Sequence, residues 1–307
     1  MYNTAYEKAR TFMYRNARPL DLARFQYHFE GGSKDQVMKV LAHYQNEDGG
    51  FGHAVEPDCW NPNSTPLHSN TAGSIIREID YDDASHPLIR GLLKYYGSGR
   101  DFDGKHWALT VRSNNDYPHA PWWYLGSESS CHTDYNGTAQ IAGFIVRYAE
   151  PDSDMYKLGI RIVNEAVEAL MPEELVDMHT CACYVRMLEY IQQAEATGQI
   201  TYDLLKEKLH KAVKKLIVSD KSQWGGYICK PSQFMTSRES QFYPENREMA
   251  EYECEYITGS QLDDGSWEVN WNWEDFPDAW AISKNWWKGQ IIIENLLYLK
   301  GFSATDG

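Results

Sequence analysis

The amino-acid sequence predicts an all-α fold, and three observations support this prediction. Short apolar helical segments alternate with amphipathic ones, glycine followed by an aromatic residue recurs between them, and convincing strand patterns are few. The best strand candidate is segment 107–111. We interpret the chain as a degenerate repeat of roughly one helix pair per 50 residues. Its length and apolar content predict one large domain spanning residues 1–307.

The N-terminal helices are predicted from their apolar spacing and from the residues that end them. Segment 4–16 has the periodicity of an amphipathic helix, and Pro19 marks its end. A second, short helix follows. Ser33, with Gln36 three residues later, then forms a capping box for a helix that ends at Gln45.

The later helices are of two kinds. Helices that are apolar nearly all round should be buried, whereas helices with one polar face should lie outside them. The buried kind is predicted at 71–79, 138–148, 180–191 and 289–299, and the amphipathic kind at 87–96, 155–170 and 202–218.

Two short motifs follow amphipathic helical segments. Residues 45–52 read Gln-Asn-Glu-Asp-Gly-Gly-Phe-Gly, and residues 261–267 read Gln-Leu-Asp-Asp-Gly-Ser-Trp. Glycine can adopt the positive φ that ends a helix, the aromatic residue can fold onto the core, and the glutamine amide can bond the freed backbone groups. The motif is therefore predicted to be a helix terminator that the chain uses twice.

These two motifs resemble the glutamine-tryptophan repeats of squalene-hopene-type terpenoid cyclases and of protein prenyltransferase β subunits. The resemblance implies an α/α toroid, in which outer helices surround inner ones and long loops lie at one end of a central cavity. It implies an enzyme of the terpenoid cyclase and prenyltransferase-like superfamily. Folds of this kind also serve sugar-processing lyases and hydrolases and proteins with no chemistry, so the motif indicates fold more than function.

The catalytic signatures of those families are incomplete in this sequence. Residues 80–83 match the Asp-x-Asp-Asp string of class II cyclases, but they precede a helix and are interpreted as acidic capping. For the zinc site of the prenyltransferases, Asp58 and Cys59 are adjacent instead of spaced by one residue. His179 and Cys183 would share a helix face without completing a tetrahedral site. We therefore predict no metal and no cofactor, with zinc as a minor possibility.

The composition restricts the partners and the location. A net charge of −15 argues against nucleic acids and anionic membranes as partners, because both need clustered Lys and Arg. No apolar run approaches membrane-spanning length. Six cysteines without a closely spaced framework favour reduced thiols in the cytoplasm. The oligomeric state is left open.

Histidine precedes Ser or Thr at the predicted starts of three buried helices. In a toroid these histidines would meet loop carboxylates at one end of the cavity, as general acid and base chemistry requires. Alternatively, each Ser or Thr is an ordinary N-cap that histidine merely precedes. The predicted catalytic residues are Glu56, Asp58, His132, Asp134 and Asp278, and the predicted ligand-binding histidines are His53, His68 and His179.

Tryptophan is the other residue type considered for ligand binding, and the chain contains 11. The predicted substrate-binding tryptophans are Trp60, Trp122, Trp123, Trp271, Trp273 and Trp280. Their rings can stabilise carbocations, stack on sugar rings or fill the centre of a small toroid.

Three functional hypotheses follow from these residues. The first is a prenyltransferase-like or cyclase-like enzyme with an aromatic, acidic cavity. The second is a carbohydrate-active lyase or hydrolase, with acids such as Asp58 and Asp278 flanking a glycosidic bond of an oligosaccharide. The third is a non-catalytic protein that binds a small molecule.

Overall fold

A computed structural model describes residues 2–126, 134–171, 174–175 and 177–303, and within these ranges it contains α-helices but no β-strand. The all-α prediction is confirmed. The helices are α1 Tyr2–Asn16, α2 Pro19–Phe29, α3 Lys34–Leu41, α4 Pro66–Glu78, α5 Pro87–Gly97, α6 Thr138–Tyr148, α7 Asp154–Leu170, α8 Met178–Gln193, α9 Tyr202–Leu216, α10 Tyr243–Gly259 and α11 Pro277–Ser303. Among these described helices, none is long and apolar enough to cross a membrane.

Most helix boundaries follow the predicted signals. Helix α6 has the predicted bounds, and α1 ends at Asn16, before the proline that begins α2. The backbone N–H of Gln36 donates to Ser33 Oγ at 3.1 Å, so the predicted cap of α3 is present. The chain then makes a short 3₁₀ turn and reaches Gln45.

Two helices begin well before their predicted starts. Helix α4 begins at Pro66, because Thr65 caps it by accepting a hydrogen bond from His68 N at 3.2 Å. Proline fits the first helical position, where its missing N–H costs nothing. Helix α11 runs for 27 residues and includes the predicted 289–299.

The strand predicted at 107–111 was wrong. Trp107 N donates to the Thr138 side chain at 3.0 Å, so this N–H is not available to a neighbouring strand. Trp107 and Phe102 form an isolated bridge in which their rings stack at 4.3 Å between centroids. The aromatic pair thus closes a loop instead of nucleating a sheet.

The chain forms two compact units. The first unit comprises residues 1–40 and 213–307, and in it α11 packs against α1, α2 and α10. The second unit comprises residues 41–212, and in it α6 packs against α7, α8, α4 and α5. Each unit contains one of the two glutamine motifs.

The glutamine of each motif bridges its own turn to a neighbouring helix. In the second unit, Gln45 Nε2 donates to Gly49 O at 2.9 Å and to Leu88 O of α5 at 3.0 Å. In the first unit, Gln261 Nε2 donates to Gly265 O at 3.0 Å and to Ala5 O of α1 at 2.9 Å. The predicted role of the amide in bonding backbone groups is confirmed in both copies.

The glycine of each motif packs closely against the helix that the glutamine of the same motif bonds. Gly49 has φ of 92°, and a Cβ there would lie 2.1 Å from Gly91 O. Gly265 has φ of 89°, and a Cβ there would lie 2.2 Å from Lys8 O. In both units the glycine contacts the helix three residues after the carbonyl that the glutamine bonds. We call this arrangement the helix clamp.

Candidate functional site

A pocket of about 320 Å³ in the second unit brings titratable side chains together. It is lined mainly by the loop after α5, and Asp101, Asp103, His106 and Arg112 are among its lining residues. The aromatic pair Phe102–Trp107 closes this loop. Concave pockets with several convergent polar groups are the usual place for ligands, so this pocket is the candidate site.

His106 and Asp103 form an oriented pair in this pocket. His106 Nδ1 lies 3.3 Å from Asp103 Oδ2, and the imidazole is buried. Because a carboxylate only accepts, Nδ1 carries the hydrogen, and Nε2 holds the lone pair of the neutral ring. Burial alone would raise the pKa of Asp103, but the Lys105 and His106 backbone N–H groups that donate to its carboxylate hold this pKa below its usual value. Asp103 is thus a charged partner for the imidazole.

Asp101 has the opposite electrostatic environment. Burial raises its pKa, and the Arg100 guanidinium and the Tyr95 hydroxyl offset only part of this shift. Its backbone is also in the left-handed region, with φ of 54°. Two carboxyl groups of one pocket therefore have pKa values displaced in opposite directions, as is common for acid and base pairs in active sites.

Two further polar groups line the pocket. Arg112 is exposed and makes no ion pair with any described residue. The Thr110 hydroxyl is buried and has no hydrogen-bond partner in the described part of the chain. A buried hydroxyl without a hydrogen-bond partner destabilises the fold. A ligand that forms a hydrogen bond with Thr110 would remove this cost.

Exposed aromatic side chains lie in the segment just before Leu125 of the pocket. Trp122 is 44% exposed and Tyr124 is 56% exposed, and they directly precede Leu125, which lines the pocket. The Tyr124 ring stacks on His119 at 5.8 Å between centroids. Trp123 instead packs against a small core that includes Cys59. The aromatic segment 122–124 thus presents two rings to solvent and anchors the third.

The predicted acids Glu56 and Asp58 lie in a loop that pairs with the segment before these rings. Both carboxylates are buried, at 7% and 2% exposure. Ala120 N donates to Asp58 O at 2.8 Å, and Trp60 N donates to Pro118 O at 2.8 Å. The Trp60 side chain is half-buried. Burial, together with these two acids, raises the pKa of the Cys59 thiol to about 12 and keeps it neutral.

The predicted histidines of this unit differ in their surroundings. His68 is fully buried, with Nδ1 2.7 Å from Thr65 Oγ1 and Nε2 2.8 Å from Cys59 O. Both of its ring nitrogens are therefore engaged within the protein. His53 is exposed, and its Nε2 lies 2.9 Å from Asn46 Oδ1.

Asp134 and His179 lie near the starts of α6 and α8. His132 lies outside the described residues. Asp134 is exposed and accepts a hydrogen bond from Asn136 N at 3.0 Å. His179 is exposed near the start of α8, which Asp177 caps. No group of three potential metal ligands occurs among the described side chains.

The other predicted site residues belong to the first unit. Asp278 is exposed in the first turn of α11. Trp273 is buried and its ring lies 5.5 Å from that of the half-buried Trp280. The half-buried Trp271 meets Trp287 edge to face at 5.0 Å. These tryptophans form aromatic contacts within their own unit.

The sequence interpretation did not select Asp101, Asp103, His106 or Arg112. It treated their segment only as a glycine-aromatic break between helices. The available signal was two acids and a histidine around one glycine turn, directly after a helix. Residue type alone does not distinguish such a turn from ordinary capping.

Burial of His68 predicts a pH-dependent stability. Burial lowers the pKa of His68 from 6.5 to about 4, so below pH 6.5 the unfolded chain binds a proton that the folded chain excludes. The contribution of His68 to stability is present above pH 6.5 and is lost as the pH falls towards 4. Between pH 7 and pH 5, His68 should account for about 2 kcal/mol of lost unfolding free energy.

Urea unfolding at the two pH values measures this loss. The His68→Gln variant should show a smaller difference between pH 7 and pH 5 than the wild type. His43→Gln, at an exposed position of the same unit, is the control and should retain the wild-type difference. An unchanged pH dependence in His68→Gln would refute the assignment.

Comparisons with protein-family models, curated proteins and solved structures find no match for this chain.

Proposed function

We propose that this chain is a carbohydrate-active enzyme in which Asp101 and His106 act as general acid and general base on a glycosidic bond. We extend the proposal, by resemblance, to an α/α toroid enzyme that acts on an oligosaccharide in the cytoplasm. The observation that carries the proposal is one pocket in which an acid of raised pKa and an oriented histidine lie near exposed aromatic rings.

The proposed reaction is a single displacement by water. Asp101, which burial favours in its protonated form, donates its proton to the leaving sugar oxygen as the glycosidic bond breaks. His106 Nε2 takes a proton from the water whose oxygen bonds to the anomeric carbon. Charged Asp103 holds the ring through Nδ1 and stabilises the imidazolium that forms. One proton thus moves from water to His106, and one moves from Asp101 to the leaving group.

The surroundings of the pocket favour a hydroxylated ligand over an isoprenoid. Trp122 and Tyr124 are exposed in the segment that leads to Leu125 of the pocket, and their faces can stack on the apolar face of a sugar ring. Arg112 and the Thr110 hydroxyl offer hydrogen bonds to sugar hydroxyls. Carbocation chemistry would instead need aromatic rings enclosed in a dry cavity.

Two variants test the assignment of acid and base. Asp101→Asn should lower kcat on an oligosaccharide by at least about 100-fold, because the leaving group then lacks its proton. On a nitrophenyl glycoside the kcat of the same variant should fall much less, since that leaving group needs no protonation. His106→Gln should lose activity on both substrates. Release of reducing ends and of nitrophenol measures the two rates.

The controls separate this proposal from the alternatives. Asp203→Asn, at an exposed acid of α9, should retain wild-type turnover. Turnover of isoprenoid diphosphates without sugar release would favour the terpenoid hypothesis and contradict the proposal. Sugar binding without turnover by the wild type would identify a binding protein. Equal losses of Asp101→Asn on both substrates would exclude Asp101 as the acid.

A further inference from the structure

A groove of about 640 Å³ lies in the first unit between α1 and α11. Lys8, Thr11 and Arg15 line it from one face of α1, and Lys284 and Lys288 line it from one face of α11. Its volume is in the range of sites for small molecules. These side chains place four cations on one groove of a chain whose net charge is −15.

Only part of this positive charge is neutralised within the unit. Lys288 Nζ lies 3.0 Å from Asp264 Oδ2, and Lys284 Nζ lies 2.7 Å from Glu268 Oε1. Lys8 and Arg15 make no ion pair with any residue that the structure describes, and both are exposed. Two cations of the groove are therefore available to an anionic ligand.

The charges are distributed unevenly along the groove. The acidic turn at Asp263 and Asp264 lies at the Lys8 end, because the adjacent Gly265 packs against Lys8 O. At the opposite end Asn285 Nδ2 donates to Asn16 O at 3.0 Å, next to Arg15. The groove thus has a cationic end near Arg15 and a mixed end near Lys8.

We propose that this groove binds the phosphate monoester of a small hydroxylated molecule. The Arg15 guanidinium suits a phosphate because its N–H groups can donate in pairs to two oxygens. Lys284 lines the groove from α11 as the paired partner of Glu268, and the Thr11 hydroxyl adds a donor between Arg15 and Lys8 on the same helix face. At the other end Asp263, which is exposed, accepts hydrogen bonds from ligand hydroxyls. This site lies in the first unit and does not depend on the proposed glycosidic chemistry.

Calorimetric titration of the full chain tests the site with glucose 6-phosphate, inorganic phosphate and glucose as probes. Glucose 6-phosphate should bind, inorganic phosphate should bind more weakly, and glucose alone should not bind. Arg15→Gln and Lys8→Gln should each weaken glucose 6-phosphate binding, with Arg15→Gln weakening it at least about tenfold. Both residues are exposed, so neither variant should disturb folding.

Lys211→Gln is the matched control, because it removes one exposed charge from α9, outside the groove. It should leave the affinity unchanged. Equal weakening by Lys211→Gln and Arg15→Gln would mean that binding follows net charge, and the proposal would fail. Absence of binding for both phosphate probes, or wild-type affinity in both groove variants, would also overturn it.

Discussion

Replacing Gly49 by alanine should destabilise the second unit by about 2–5 kcal/mol. Two costs add at this position. Alanine at φ of 92° is strained, which costs about 1–2 kcal/mol. Its Cβ would also lie 2.1 Å from Gly91 O, so that the turn and α5 must move apart. Overpacking of this kind typically costs a further 1–3 kcal/mol, roughly. Chemical unfolding of both proteins measures the difference.

Gly104→Ala is the matched control for this prediction. Gly104 lies in the same unit with φ of 97°, but a Cβ there would meet nothing within 4 Å. It should show only the cost of the backbone strain. Gly265→Ala should repeat the large effect in the first unit, because its Cβ would lie 2.2 Å from Lys8 O. Equal losses for Gly49→Ala and Gly104→Ala would contradict the helix clamp.

Removal of the Asp21 carboxylate should destabilise the first unit by about 3–5 kcal/mol. Asp21 is fully buried in α2, with Oδ2 2.6 Å from Arg18 Nε and Oδ1 3.0 Å from Arg24 Nη1. Both arginines are themselves buried. Asp21→Ala therefore leaves two positive charges in the interior without the carboxylate that they share. Urea unfolding should show the loss as a lower midpoint.

The charge and the hydrogen bonds of Asp21 can be separated. Asp21→Asn keeps an acceptor oxygen but not the charge. Its unfolding midpoint should therefore lie between those of the wild type and of Asp21→Ala. Asp154→Ala is the control, because Asp154 is fully exposed and 3.9 Å from its lysine partner. It should not change the midpoint measurably. A loss below about 1 kcal/mol for Asp21→Ala would show that the buried cluster does not stabilise the unit.

The helices could be predicted from sequence because their signals are local. The bounds of α6 follow from a continuous apolar stretch, and those of α1 from a following proline. The start of α4 lies five residues before the predicted start at 71, because the Thr65 cap and Pro66 at the first helical position precede the apolar stretch. The strand at 107–111 was predicted wrongly, since its apolar pattern serves the Phe102–Trp107 stack.

The helix clamp could be predicted only in part. The positive φ of Gly49 and the amide bonds of Gln45 follow from residue type and from the end of a helix. The second helix that each clamp holds could not be identified, because Leu88 lies 43 residues after Gln45 and Ala5 lies 256 residues before Gln261. Contacts at that separation depend on tertiary packing, which periodicity does not reveal.

The candidate site depends even more on tertiary structure. The raised pKa of Asp101 comes from burial, and the same residue type in an open turn would titrate normally. Trp122 was selected from the sequence for its ring; the ring is exposed, and its role in substrate binding stays a prediction. Assignment of catalytic roles to Glu56, Asp58, His132, Asp134 and Asp278 stays a prediction.

A structure of the Asp101→Asn variant with a bound oligosaccharide would show whether Asp101 faces the glycosidic bond. The variant should bind substrate without cleaving it, so an intact glycosidic bond can be located. We expect the glycosidic oxygen to lie within about 3 Å of the side chain at position 101, with a sugar ring stacked on Trp122 or Tyr124. An oligosaccharide bound away from this pocket would contradict the account.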